Sequence, residues 1–161
     1  MVRTAVTADA PAVAAIWNPV IRDTEITFNT VEKTPEDLAG LFAERQAAGH
    51  AFLVAEKRGR ILGFAAYSQF RGGVGYARTM EHTVILAPDH RGRGIGRTLV
   101  SAVEDHARAG GAHSMFAGVS SGNPDGVAFH GALGYVEVAR LRQVGWKFGK
   151  FFDLCLMQKF L

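Results

Sequence analysis

Helical and alternating spacings of apolar residues succeed one another along the chain, with no linker, repeat or low-complexity stretch between them. Residues 2–6 have strand character. The segment Thr7-Ala8-Asp9-Ala10-Pro11 then opens a helix whose apolar face carries Val13, Ile16 and Trp17. Asn18-Pro19 is expected to weaken or end that helix, because proline lacks an N–H and its ring meets the preceding turn. A second helix is expected from Thr34-Pro35-Glu36-Asp37, where a capping hydroxyl, an early proline and early acids coincide, to about Ala48, with Gly49 as its stop. An aromatic-bearing loop with Phe28 joins the two helices.

Two strands follow at residues 51–56 and 61–68, and the turn-prone Lys57-Arg58-Gly59-Arg60 between them predicts a hairpin. From there the order becomes βαβαβ. Residues 80–86 form a strand, and Ile95, Leu99 and Ala102/Val103 lie on one face of a helix that ends near Gly110-Gly111. Residues 114–119 form the next strand, and residues 127–133 a short helix stopped by Gly134. Residues 135–140 and 151–159 complete the sheet as antiparallel strands, so the class is α/β with a mixed sheet covered by helices.

The richest stretch lies where the central strand meets its helix, Pro-Asp-His-Arg-Gly-Arg-Gly-Ile-Gly-Arg-Thr-Leu-Val at residues 88–100. Arg91, Arg93 and Arg97 sit on the positive end of a helix, where each is unfavourable by up to about 1 kcal/mol. A bound anion reverses that sign. Gly92, Gly94 and Gly96 let successive N–H groups converge on a phosphate, and the guanidinium groups complete its neutralisation. The spacing is neither the dinucleotide fingerprint, whose third glycine would come later than Gly96, nor a Walker loop, which needs Gly-Lys-Ser/Thr.

Arg91-x-x-Gly94-x-Gly96, placed between strand and helix, resembles the pyrophosphate-binding signature of the GNAT superfamily of N-acetyltransferases, and the element order matches that fold over nearly the whole chain. The resemblance implies a GNAT fold with roughly six or seven strands in a mixed sheet and about four helices over residues 1–161 as a single domain. It also implies acetyl-CoA as cosubstrate and no metal. Asn123 followed by His130-Gly-Ala-Leu-Gly-Tyr135 looks like the family's later motif, with His130 where many members have tyrosine. Glu81 before a Thr-Val strand, that His130 motif and Gly145-x-Lys147-Phe148-Gly149-x-x-x-Asp153 resemble one branch, the phosphinothricin and methionine sulfoximine N-acetyltransferases.

Thioester aminolysis assigns roles to these positions. An amine attacks only when neutral, so a base is needed, and Glu81 stands at the reacting end of the cofactor, acting directly or through water. His82 must face the other side of the strand. The resemblance places main-chain contacts to the acetyl and pantetheine groups at Val84, Ile85 and Leu86, and pyrophosphate contacts at residues 91–97, Ile95 included. His130 either protonates the departing thiolate or packs beneath the sulfur, and Asn123 either caps its helix or bonds the pantetheine amide.

An acceptor with a carboxylate beside its amine calls for a cation, and Arg78 and Lys147 are the candidates, with Phe28, Asn29 and Tyr76 as pocket walls. Relatives carry that arginine one position earlier, at Ala77 here, and on a strand this displacement turns the side chain to the opposite face unless the backbone bulges. Trp146, Phe148, Phe151 and Phe152 suit core or dimer contacts, and the branch implies a homodimer. Rival readings are a protein N-terminal acetyltransferase and a non-catalytic acyl-CoA sensor. The sensor has no need of Glu81 and His130.

Composition narrows the partners. A chain of 161 residues with 48% hydrophobic content can bury a substantial core as one domain, on the order of 70% of its unfolded surface. The net charge of +3 is dispersed outside the Arg/Gly loop, which argues against a nucleic-acid partner. No apolar run approaches a membrane span and no secretory leader pattern is present, so a cytoplasmic enzyme is expected. The lone Cys155 reads as a small buried hydrophobe.

Overall fold

The computed structural model describes residues 1–161. Seven strands form one sheet in the order β1-β2-β3-β4-β5-β7-β6. They are β1 (Val2–Thr4), β2 (Phe52–Lys57), β3 (Arg60–Gln69), β4 (Thr79–Leu86), β5 (Ser114–Ser120), β6 (Val136–Lys147) and β7 (Lys150–Phe160). Every neighbouring pair is antiparallel except β4 and β5. Four helices cover the sheet, α1 (Ala10–Asp23), α2 (Pro35–Ala47), α3 (Ile95–Ala109) and α4 (Pro124–Gly131). This is the α/β arrangement with a mixed sheet and four helices that the GNAT fold has.

Alternation along the strands divides the core into two. On one face Leu99, Val100 and Val103 of α3 pack on Tyr67, Met115, Ala117 and Cys155. On the other, Val13, Ile16 and Val20 of α1 and Leu38 and Phe42 of α2 pack on Phe52, Val54, Phe64 and Ile85. A fully buried side chain such as Phe64 contributes about 2–3 kcal/mol through its removal from water.

The second helix begins where its sequence signals place it. Thr34 Oγ1 accepts from Asp37 N at 3.1 Å and Asp37 Oδ2 accepts from Thr34 N at 2.9 Å, a reciprocal cap contributing about 1 kcal/mol. The first helix departs from expectation, because α1 runs through Pro19 to Asp23. Burial outweighs the proline, whose cost inside a helix is about 3 kcal/mol. Val20 and Ile21 beyond it are buried, Trp17 packs on Phe64 with ring centroids 4.8 Å apart, and the carbonyl that Pro19 frees belongs to the exposed Ala15. Asn18 pins the far end of the loop instead of ending the helix, donating from Nδ2 to Lys33 O at 2.9 Å and accepting from Lys33 N at 2.8 Å.

The last helix and strand also differ from their expected bounds. Asn123 Oδ1 accepts from Gly126 N at 3.1 Å, so α4 starts at Pro124 and stops at Gly131. Strand β6 continues past Arg140 to Lys147, which puts Gly145 and Lys147 inside a strand. Its outward face is largely exposed, so the periodicity that marks a half-buried strand is missing there. An irregularity between Leu141 and Gly145 interrupts the pairing with β7, and Asp153 Oδ1 accepts from Gln143 N at 2.9 Å within it.

Candidate active site

The central feature is a splay between the two parallel strands. Strand β4 pairs with β5 from Thr79↔Ser114 only as far as His82↔Ala117, while on its other side it pairs with β3 out to Gly63↔Leu86. Residues 83–86 therefore have one main-chain edge without a partner strand, which leaves N–H and C=O groups to be satisfied from the cleft. Val84, Ile85 and Leu86 lie on that edge. Ile85 also belongs to the core.

The chain next passes through a glycine turn into α3. Gly92 and Gly94 take positive φ values of 71° and 80°, a conformation open to glycine without a Cβ penalty. Helices α2 and α4 are capped by Thr34 and Asn123, whereas α3 begins at Gly94 with no side-chain cap. No main-chain acceptor takes the N–H groups of residues 92–97. Of these six free amides, the four of residues 94–97 lie on a helix's positive end, and with the exposed arginines beside them they form an anion cradle.

These parts enclose a cleft of about 490 Å³. Of the residues expected at the site, the cleft gathers Val84, Ile85, Leu86, Arg91, Gly92, Gly94, Gly96, Arg97, Asn123 and His130. Arg93 and Ile95 lie on the same loop and helix start without lining it. Val20, Ile26, Asp125, Gly126 and Phe129 were not anticipated. Phe129 had a faint signal, since it lies one position before the motif histidine, and a methyl group on Gly96 would come within 3.1 Å of its ring. Val20 reaches the cleft through the packing of α1 and Ile26 through the loop that follows it, which nothing local encodes.

Glu81 stands on β4 two residues before the unpaired edge begins at Thr83. It pairs across the sheet with Ser68 and Phe116, on the face that α1 and α2 cover farther along the strands, while His82 points to the α3 face, as strand alternation requires. The Glu81 carboxylate lies over Gly118, where a methyl group would sit 2.8 Å from Oε1. Burial pushes its pKa above the usual carboxylate range, with no cationic partner to oppose the shift. His82 is fully enclosed and burial pulls it down to about 3, so it is neutral.

His130 is buried beside it, the two rings 5.1 Å apart. Nδ1 lies 2.7 Å from Gly126 O, an oxygen that can only accept, so Nδ1 carries the hydrogen. Nε2 is buried without a partner, and burial holds the imidazole below its ordinary pKa. The neutral ring therefore presents a lone pair rather than a proton at Nε2.

The expected acceptor residues fall in different places. Phe28 stacks on Phe152 with centroids 5.8 Å apart, and Asn29 follows it in the loop, where its Oδ1 accepts from Val31 N at 3.0 Å. Tyr76 and Arg78 lie exposed in the segment before β4, at and just after a short 3-10 turn (Val74–Tyr76). Arg78 is thus outside the strand, and the alternation argument about its displacement does not govern it. Lys147 is buried, and its Nζ donates to Thr24 O at 2.7 Å and Thr27 O at 2.8 Å.

A splayed parallel pair, an uncapped helix behind a glycine turn and the half-buried carboxylate of Glu81 thus occupy one region of the molecule. Residues 17–135 match the family described as Acetyltransferase (GNAT) family. The chain is 38% identical over 157 residues to the L-amino acid N-acyltransferase MnaT of Escherichia coli (strain K12), covering 98% of this chain and 91% of that protein. It is 36% identical over 157 residues to an L-methionine sulfoximine/L-methionine sulfone acetyltransferase of Salmonella typhimurium, covering 98% and 92%. Among solved structures, an acetyltransferase from Salmonella typhimurium with its cofactor acetyl-CoA superposes with a TM-score of 0.95 at 35% identity, covering 100% of this chain and 93% of that one. The chain belongs to the GNAT acetyltransferase family, and its class is that of the acetyl-CoA-dependent N-acetyltransferases. No helix is long and apolar enough to cross a membrane.

Proposed function

We propose that the protein moves an acetyl group from acetyl-CoA directly to the amine of a small amino-acid-like acceptor of the methionine sulfoximine, methionine sulfone or phosphinothricin kind. The observation that carries the reading is Glu81, a half-buried carboxylate without an ion-pair partner at the foot of the splay. Acetyl-CoA supplies the activated acyl group. The free amides of residues 92–97, with Arg91 and Arg97, hold its pyrophosphate, and the unpaired edge of residues 83–86 aligns its pantetheine arm. Glu81 takes the amine proton as the N–C bond forms and the C–S bond breaks. Main-chain N–H groups on the same edge stabilise the charge that develops on the carbonyl oxygen. His130 packs beneath the sulfur as a neutral ring, and the thiolate takes its proton from the acid form of Glu81.

Identity to amino-acid acetyltransferases over almost the whole chain supports the acceptor class. Initial rates test direct transfer. Lines that intersect when both substrates are varied are expected for a ternary complex, and parallel lines would refute it. A homodimer through β6 completes the reading, because Val136, Val138, Val144 and Trp146 expose apolar surface on this edge strand. Sedimentation is expected to give twice the chain mass, and a monomer at micromolar concentration would remove that part.

A further inference from the structure

The loop between α1 and α2, residues 24–34, is held onto the sheet from below. Lys147 on β6 offers its ammonium to the carbonyls of Thr24 and Thr27 at 2.7 and 2.8 Å, and Nζ lies 5.1 Å from the Phe148 ring centroid. Thr24 is the residue that ends α1, so the charge meets the negative end of that helix. Glu25 is tied to Lys150 by a 2.7 Å ion pair. Phe28 lies over Gly145, where a methyl group would come within 2.5 Å of its ring.

These contacts reach the base. Phe28 stacks on Phe152, the neighbouring inward residue Leu154 lies 3.5 Å from the position a methyl group on Gly118 would occupy, and the Glu81 carboxylate lies over that same glycine. Phe28, Phe152, Leu154 and Glu81 therefore lie along one face of the sheet, and Ile26 of the same loop lines the cofactor cleft.

We propose that Lys147 is a positioning residue that clamps residues 24–34 so that Phe28, seated in the gap at Gly145, forms the acceptor wall facing Glu81, rather than a residue that binds the acceptor carboxylate. Both of its hydrogen bonds go to main-chain oxygens and the side chain is buried, so the ammonium is committed to the fold. The Gly145-x-Lys147 portion of the C-terminal motif becomes a device for shaping this wall: one residue makes room for the ring and the other holds the chain that carries it. The inference rests on the proposed placement of the acceptor beside Glu81.

The test compares Lys147→Met with the wild type on L-methionine sulfone and on its carboxamide, which keeps the amine and lacks the carboxylate. Acetyl-CoA affinity and amide hydrogen exchange in residues 24–34 are measured alongside. The clamp predicts an acceptor KM raised about tenfold or more for both acceptors alike, an acetyl-CoA Kd within about twofold, and faster exchange in the loop. A loss confined to the carboxylate-bearing acceptor, with exchange unchanged, would overturn it. Gly145→Ala, which displaces Phe28 and leaves both lysine bonds, is expected to raise acceptor KM as well; unaltered kinetics there would also count against the proposal. If the wild type acetylates neither compound, the acceptor reading fails, and loop exchange in Lys147→Met alone decides the clamp.

Discussion

The two sides of the site are built from different materials. The proposed cofactor side is main chain: an unpaired strand edge at residues 83–86, a glycine turn and the uncapped start of α3. The proposed acceptor side is assembled from side chains on segments far apart in sequence, with Phe28 from one loop resting on Gly145 and Phe152 from two strands. A main-chain site tolerates changes of side chain and is sensitive to capping and to glycine. A side-chain site is sensitive to whatever holds its pieces in register.

The largest effect that separates the two sides is expected at the boundary between them. Glu81→Gln keeps the shape and removes the base, so kcat is expected to fall about a hundredfold or more while acetyl-CoA affinity is unchanged. Because burial raises the Glu81 pKa and the base form is the active one, wild-type kcat/KM is expected to rise with pH through a limb above the usual carboxylate range. A limb at or below that range would argue that Glu81 is solvated and not the base.

Next come the cradle arginines. Arg91→Ala and Arg97→Ala are each expected to weaken acetyl-CoA binding about tenfold and to leave acceptor KM alone, with Arg93→Ala smaller because that side chain does not line the cleft. Calorimetric titration with CoA gives the ranking, and equal losses from all three would mean a diffuse field rather than specific contacts. The smallest effect is expected on the strand edge. Val84→Ile alters a side chain while leaving the main-chain groups in place, so every kinetic constant should stay within about twofold. A large change in acetyl-CoA KM would show that the side chain, not the backbone, makes the contact.

The same contrast explains what could be read from the chain before its structure. The loop at residues 91–97 was legible because a glycine turn, a helix start and a charge conflict all lie within seven consecutive positions. Glu81 and His130 were singled out through their neighbours in the family motifs, and the opposite orientation of His82 follows from strand period alone. Pro19 misled because a local rule was outweighed by burial of the helix beyond it, which for Val20 depends on strands more than thirty residues away. Lys147 read as a free cation because no local pattern announces that two carbonyls from residues 24 and 27 will surround it. The alternation argument about Arg78 does not apply, because Arg78 precedes β4, which begins at Thr79.

The most direct test of the central claim is release of CoA thiol from acetyl-CoA by the wild-type protein, with L-methionine sulfoximine, L-methionine sulfone, phosphinothricin, common amino acids, a polyamine and short peptides as acceptors. Saturable release with the first three, matched by one N-acetylated product per thiol, is the predicted result. Release with peptides or the polyamine alone would contradict the acceptor assignment, and tight CoA binding without release on any acceptor would contradict catalysis itself.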